Sequence, residues 1–185
     1  MLKSLAEELN ALSVLAIAVI LIMASVLEFA YGEPPCPLCL LQRAGFMFMS
    51  IGFLLNLRFG PRPGFYGLSI IAGLFTAAVG LRQTLLHIDP GTGSYGDPIF
   101  GLHLYTWTFI VGLLFVLWIA VLLMIGEQFK KSRKRKSKYF KKIVYAVFTV
   151  MLLIVAFNIF TSFSECGIQQ CPDNPTGYKY FLKKG

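Results

Sequence analysis

Residues Pro35–Arg43 read PCPLCLLQR and lie between the end of one long apolar run and the start of the next. The stretch holds two of the chain's four cysteines and an arginine. Of the 185 residues, 56% are hydrophobic and only 14% are charged. Soluble domains are about half apolar and about a quarter charged. The composition therefore indicates a membrane protein, with this stretch at a membrane edge.

Five apolar segments surround this stretch and follow it along the chain. A membrane-spanning helix needs about 20 mostly apolar residues. The segments that approach or exceed this length are 11–31, 40–57, 65–87, 105–125 and 143–163, and clusters of Gly and Pro separate the first three. We therefore predict an all-α membrane protein with five transmembrane helices. The first segment is too long for a signal peptide and no cleavage site follows it, so we expect an uncleaved anchor.

A strongly basic run lies before the fifth segment. Residues 130–142 read KKSRKRKSKYFKK and hold nine of the seventeen Lys and Arg residues, in a chain of net charge +8. Such a run is found in nucleic-acid or anionic-lipid patches, but also in cytoplasmic loops that obey the positive-inside rule. Because the run lies between two spans, we interpret it as a cytoplasmic loop and expect no nucleic-acid partner. Twelve basic residues then lie on this side of the membrane and five on the other.

The number of spans determines where the four cysteines lie. Cys36 and Cys39 follow the first span, and Cys166 and Cys171 follow the fifth. With five spans, both pairs lie on the same face of the membrane. The charge rule places the N-terminus inside and this face outside, where disulfides persist.

The first pair forms a C-x-x-C motif, Cys36-Pro37-Leu38-Cys39. Its sulfurs are close enough to form a small, reducible disulfide. If Pro37 lies in the first turn of the second helix, Cys39 is near a helix N-terminus, where the helix dipole favours a thiolate. Arg43 is four residues further on and shares its helical face. Both features lower a thiol pKa from about 8.5 towards about 3.5–7.5, which makes the sulfur a good leaving group and electron donor.

The second pair, Cys166 and Cys171, is a C-x4-C in a loop-like tail. A mobile dithiol on the same face as a fixed one suggests a relay, in which one pair exchanges disulfides with a partner and the other pair exchanges with it. Two alternatives stay open. In the first, all four cysteines bind one zinc ion, since their spacing is near that of zinc ligands. In the second, both pairs are permanent structural disulfides, although a disulfide across so short a loop would add little stability.

These motifs resemble the DsbB family of membrane thiol:quinone oxidoreductases. The resemblance rests on Cys36-Pro37-Leu38-Cys39 followed by Leu-Leu-Gln-Arg43, and on two supporting stretches, GLRQTLLH at 80–87 and FGLHLYTW at 100–107. It covers roughly residues 11–126. It implies a four-helix transmembrane bundle, here with a fifth helix added. It also implies a protein of the bacterial inner membrane that oxidises a periplasmic thioredoxin-fold protein, DsbA, and passes electrons to ubiquinone or menaquinone.

The resemblance also implies roles for individual residues. Cys36 and Cys39 would be the quinone-coupled pair, with Cys39 donating electrons as its thiolate. Arg43 would lie against the quinone, and His87 matches a position near the quinone site. Typical members carry their second pair between the third and fourth helices, whereas this chain carries Cys166 and Cys171 after a fifth helix. Only the exchange role of that pair is therefore implied, and no metal is expected.

We accordingly divide the chain into a DsbB-like core (1–126), a basic cytoplasmic loop (127–142), and a fifth helix with a periplasmic tail (143–185). Electrons are expected to pass from the partner to Cys166/Cys171, then to Cys36/Cys39, then to the quinone. One alternative lets the partner meet Cys36/Cys39 directly. Another is a non-catalytic membrane scaffold with a disulfide or zinc clip. Glu28, near the end of the first span, is expected to reach water at the membrane edge.

Overall fold

The computed structural model describes residues 2–32, 34–89, 91, 93–94, 96–130, 138–172 and 177–178. Within these residues the chain forms five α-helices: α1 (Leu2–Tyr31), α2 (Pro37–Phe59), α3 (Pro63–Leu86), α4 (Leu104–Met124) and α5 (Lys138–Cys166), with a short 3-10 helix at Gly126–Phe129. All five are long and apolar enough to cross a membrane. The predicted helical membrane fold is confirmed.

The helices extend beyond the apolar segments at several ends. α1 begins at Leu2 and α5 at Lys138, although the sequence predicted spans from 11 and 143. The flanking residues are rich in Leu, Glu, Lys and Ala, which are good helix formers and let a helix continue beyond its apolar part. The end of the predicted basic loop is therefore helical, and residues 131–137 of that loop lie outside the described residues. The division into three regions stays a prediction.

The helices pack in chain order. α1 lies against α2, α2 against α3, and α3 against α4, while α5 packs on α1 and also contacts α2. The end of α1 leads into the start of α2, and Phe157 and Glu165 of α5 lie near Phe29 and Glu28 of α1, so one end of the bundle holds the end of α1, the start of α2 and the end of α5. We call this the disulfide end, because it carries all four cysteines, as the span count predicted.

Glycines allow α3 and α4 to approach closely near the disulfide end. A Cβ on Gly80 would lie 2.7 Å from the backbone nitrogen of Phe109 and 2.8 Å from the carbonyl oxygen of Tyr105. A Cβ on Gly112 would lie 3.0 Å from the backbone nitrogen of Ala77. The backbones of the two helices are therefore in contact, as is common where small residues line a membrane helix interface. This contact fixes the last turns of α3 beside the start of α4.

The opposite end of the bundle is joined by buried polar side chains. Asn10 Nδ2 donates to Tyr66 Oη at 2.6 Å, and Tyr66 Oη donates to Gln128 Oε1 at 2.9 Å. Asn56 Nδ2 donates to Asn10 Oδ1 at 3.1 Å. These four fully buried side chains come from α1, α2, α3 and the 3-10 helix. Each finds a partner inside the protein, which satisfies groups that would otherwise be costly to bury.

Candidate functional site

The first cysteine pair forms a disulfide at the start of α2, with the Cα atoms of Cys36 and Cys39 5.0 Å apart. Cys36 is the residue that caps the helix, and its Sγ accepts a hydrogen bond from the backbone nitrogen of Cys39 at 3.2 Å. Pro37 occupies the first helical position, where its missing N–H is not needed. Cys39 therefore lies in the first turn of α2, where the helix dipole favours a thiolate.

One buried glutamine contacts this disulfide, and a second holds the first. Gln83 of α3 directs its Nε2 at both sulfurs, 3.2 Å from Cys36 Sγ and 3.6 Å from Cys39 Sγ. Gln42 of α2 donates from Nε2 to Gln83 Oε1 at 2.6 Å. Neither residue was predicted from the sequence to have a role. The sequence did contain a signal for them: Gln42 and Gln83 are polar residues inside the second and third predicted spans, and polar residues buried within a membrane often have a functional role.

Arg43 and Glu28 form a buried ion pair beside the cysteines. Arg43 Nη1 lies 2.6 Å from Glu28 Oε2, and the two side chains are 10% and 2% exposed. Arg43 Nη2 also donates to the carbonyl oxygen of Ala24 at 3.2 Å. The prediction that Glu28 reaches water is wrong. The arginine on α2 is directed at α1 and holds the carboxylate inside the bundle.

A cavity of about 480 Å³ lies in front of the first disulfide. Its polar lining consists mainly of Cys36, Cys39, Gln42, Arg43 and Glu28. Its remaining walls come from α1, the start of α4 and the loop segment 96–100, and they are largely apolar. Mostly apolar walls with a few convergent polar groups are typical of a small-molecule site, and the volume is in the usual range of about 300–1,000 Å³.

Aromatic side chains at the start of α4 separate His87 from this cavity. Tyr105 and Trp107 line the cavity, and Trp107 Nε1 donates to the carbonyl oxygen of Ile99 at 2.9 Å. His87 is not among the lining residues. It stacks on Tyr105 with 5.4 Å between ring centroids, and its Nδ1 lies 2.8 Å from the carbonyl oxygen of Gln83. Arg43 therefore borders the cavity, whereas His87 lies behind Tyr105. The assignment of both to the quinone stays a prediction.

The second cysteine pair forms a disulfide at the end of α5, with the Cα atoms of Cys166 and Cys171 4.7 Å apart. Cys166 is buried and Cys171 is half-buried. Among the described residues, no group of three or more His, Cys, Asp and Glu residues could hold a metal ion. The structure thus pairs the cysteines two by two, each pair within its own motif.

Glu165 precedes the second disulfide and lies within electrostatic range of the Arg43–Glu28 ion pair. This residue precedes Cys166, is 1% exposed, and neither carboxyl oxygen has a hydrogen-bond partner within the described part of the chain. It interacts electrostatically with both Glu28 and Arg43. Both cysteine pairs therefore adjoin the same small cluster of ionisable groups. Glu165 was not predicted from the sequence, although an acidic residue just after the fifth predicted span was a visible signal.

The tail beyond the second disulfide returns to α1. The Tyr178 hydroxyl donates a hydrogen bond to Glu28 Oε1, and its ring stacks on Phe29 with centroids 5.9 Å apart. Burial raises the pKa of Tyr178 above its ordinary value, and the Glu28 and Glu165 carboxyls raise it further. The phenol is therefore a neutral hydrogen-bond donor. It attaches the tail to the carboxylate that also holds Arg43.

Comparison with known proteins identifies the part of the chain that carries this site. The sequence model of the family "Disulfide bond formation protein DsbB" matches residues 6–96. This range includes Cys36, Cys39, Arg43 and His87. It ends before α4, so the stretch 100–107, which supported the resemblance, lies beyond the match, as do α5 and the second disulfide.

Curated relatives named "Disulfide bond formation protein B" show the same limits. The protein of Xanthomonas oryzae pv. oryzae (strain MAFF 311018) is 36% identical over 95 residues, which is 48% of this chain and 55% of the relative. That of Chromobacterium violaceum is 41% identical over 69 residues, which is 34% of this chain and 40% of the relative. The chain spans about half the length of the curated relatives it matches. No solved structure matches it. Residues 6–96 therefore carry the sequence of the DsbB family of disulfide bond formation proteins.

Proposed function

We propose that this protein is a membrane thiol:quinone oxidoreductase that reoxidises a DsbA-like thioredoxin-fold partner and passes the electrons to a quinone. One observation carries the proposal. A largely apolar cavity borders both the Cys36–Cys39 disulfide and the Arg43 guanidinium. A quinone has a planar ring with polar oxygens and an apolar tail, which suits walls of this kind. When bound, ubiquinone or menaquinone supplies an acceptor for two electrons and two protons.

Arg43 is the residue that binds a quinone oxygen in this proposal. Its guanidinium has five N–H donors. Two of its nitrogens already donate, to Glu28 and to Ala24. These bonds hold the side chain in one orientation. Because the guanidinium group is planar and rigid, the directions of its remaining N–H groups are fixed as well. Because Glu28 balances the charge, Arg43 acts through hydrogen bonds of fixed direction. Tyr105 and Trp107 supply aromatic surface in the same cavity.

The tail pair receives electrons from the partner. A thiolate of the partner attacks one sulfur of the Cys166–Cys171 disulfide and forms a mixed disulfide, and the partner's second thiol then displaces the tail sulfur. The partner leaves oxidised, and Cys166 and Cys171 are left as two thiols. Cys171 is the more exposed of the two. Access therefore favours attack on the Cys171 sulfur.

The tail pair then reduces the first pair. A Cys166 or Cys171 thiolate attacks the Cys36–Cys39 disulfide, the second tail thiol closes the tail disulfide again, and Cys36 and Cys39 become thiols. Cys39 gives up its proton most readily, because it lies at the N-terminus of α2. Two electrons and two protons then leave this dithiol for the quinone as the Cys36–Cys39 bond re-forms.

The charge distribution along the chain supports a bacterial inner-membrane location. Basic residues concentrate in the sequence between α4 and α5, whereas the disulfides lie at the other ends of these helices. The positive-inside rule then orients the connection between α4 and α5 to the cytoplasm. The disulfide end would face the periplasm, where a thioredoxin-fold partner and an oxidising environment are available.

Quinone reduction by the purified protein tests the proposal. Detergent-solubilised protein is mixed with a soluble quinone and a reduced thioredoxin-fold partner, and the quinone absorbance is followed with time. The same measurement is made on Cys39→Ser and on Cys166→Ser. We expect quinone loss with the parent protein and none with either variant.

The other outcomes separate the alternatives. Quinone loss that stops only in Cys39→Ser would show that the partner meets Cys36 and Cys39 directly, and would refute the relay. No quinone loss with ubiquinone or menaquinone analogues, together with disulfides that never open in the presence of the partner, would refute the enzyme and favour a scaffold.

A further inference from the structure

Gln83 is the side chain that contacts both sulfurs of the first disulfide. It lies on α3, is fully buried, and has its Nε2 3.2 Å from Cys36 Sγ and 3.6 Å from Cys39 Sγ. A disulfide sulfur carries lone pairs but no proton, so it can only accept. The amide N–H groups are thus the part of Gln83 that suits this position.

Neighbouring groups hold the Gln83 amide in this orientation. Its Oε1 accepts a hydrogen bond from Gln42 Nε2 at 2.6 Å, which leaves its nitrogen for the sulfurs. Its backbone carbonyl oxygen lies 2.8 Å from His87 Nδ1. The close contact of Gly80 with α4 fixes the turn of α3 that precedes it. Side chain and backbone are both held, so the donor does not have to be ordered when charge appears on a sulfur.

We propose that Gln83 is a catalytic residue that stabilises the reduced Cys36–Cys39 pair by donating hydrogen bonds to its thiolate. This rests on the proposed function and extends it. When the two tail thiols reduce the disulfide, the S–S bond breaks and the tail disulfide forms; one sulfur of the first pair keeps one of the two protons, and the other sulfur releases its proton to solvent and carries the negative charge. Hydrogen bonds to a charged sulfur are stronger than those to a neutral one. Gln83 therefore favours the reduced state, raises the reduction potential of the pair and lowers its thiol pKa.

The size of the effect follows from the strength of such bonds. A hydrogen bond to a charged group is worth at least a factor of about ten in an equilibrium constant. Loss of the donor should therefore make the pair at least about tenfold harder to reduce in a glutathione buffer, and should raise the pKa of the reactive thiol by about one unit or more. The reduction equilibrium and the thiol pKa are both properties of the Cys36 and Cys39 sulfurs.

The test uses the full-length chain with Cys166→Ser and Cys171→Ser, so that only Cys36 and Cys39 titrate. In this background Gln83→Met, which removes the donor, and Gln83→Glu, which replaces it by a carboxylate of the same shape, are compared with Gln83. Thr84→Val is the matched control, because Thr84 is the next residue of α3 and bonds to Gly80 and Thr106 instead. The fraction reduced is measured in glutathione buffers by thiol alkylation, and the thiol pKa by ultraviolet absorbance of the thiolate.

We expect Gln83→Met to lower the equilibrium constant for reduction by glutathione at least about tenfold and to raise the thiol pKa. Gln83→Glu should have larger effects in the same directions at neutral pH. Acidification should lessen the Gln83→Glu effect, because a protonated carboxyl donates again. Thr84→Val should match the parent. An unchanged potential and thiol pKa in Gln83→Met or in Gln83→Glu would overturn the proposal. Neither measurement contains quinone or partner, so its result is independent of whether the protein reduces a quinone.

Discussion

The Arg43–Glu28 ion pair allows a quantitative prediction about stability. Replacing Arg43 by Met removes the cation that lies 2.6 Å from Glu28 Oε2, in side chains that are 10% and 2% exposed. It leaves the Glu28 and Glu165 carboxyls buried near each other. Removing one partner of a buried pair costs about 3–5 kcal/mol. The Coulomb energy of two unit charges 2.6 Å apart at an effective dielectric constant of 20 is about 6 kcal/mol, which is an upper limit above this cost.

The assay is equilibrium unfolding of the oxidised protein in detergent, with Arg58→Met as the control. Arg58 is exposed at the opposite end of the bundle, over the Phe59 ring, so its loss should change the free energy of unfolding by less than about 1 kcal/mol. Adding Glu28→Gln to Arg43→Met should recover part of the loss, because one buried carboxylate is then gone. A loss below about 1 kcal/mol in Arg43→Met would refute the reasoning, since that is the value of an exposed pair.

Three further predictions concern packing, burial and the tail. Gly80→Ala should lower the free energy of unfolding by about 1–3 kcal/mol through overpacking against α4, whereas Gly67→Ala, with open space around its Cβ, should not destabilise. Glu165→Leu should raise the unfolding free energy by about 1–3 kcal/mol, because a buried carboxyl without a partner in the described residues is removed. Tyr178→Phe should speed hydrogen exchange of the Gly177 and Tyr178 amides and at the end of α1. In the parent this protection should persist at pH 10, because the raised pKa keeps the phenol neutral.

Each of these three has a clear contradicting result. Equal stability of the two glycine variants would show that α3 and α4 separate without cost. A destabilising Glu165→Leu would mean that the carboxyl is held by interactions worth more than its burial. Protection that disappears at pH 10 in the parent, or persists unchanged in Tyr178→Phe, would show that the Tyr178–Glu28 bond does not hold the tail.

Much of the architecture was predictable because it depends on local patterns. The five spans follow from the length of apolar runs, and the shared face of the two cysteine pairs follows from their number. The position of Pro37 at the start of α2 follows from its missing N–H. The helix ends were less predictable, because Leu, Glu and Lys continue a helix after the apolar pattern has stopped.

The site was only partly predictable because its contacts join distant residues. Cys36, Cys39 and Arg43 share one short motif, and the structure brings them to one cavity. Glu28 meets Arg43 from another helix, and nothing in the residues around Glu28 indicates a partner. Gln83 is 44 residues from Cys39 in the chain, and its contact with the sulfurs depends on how α3 rotates against α2.

The hydrogen-bonded network of Asn10, Asn56, Tyr66 and Gln128 has a consequence for the redox cycle. Both disulfides close very short loops, with sequence separations of 3 and 5, so they restrict the unfolded chain little. The amides and the phenol at the far end do not respond to thiol reagents. The helices are thus held together at this end by groups that take no part in thiol chemistry, so their packing does not depend on the reactive sulfurs. We therefore expect the packing of α1, α2 and α3 to persist when both disulfides are open.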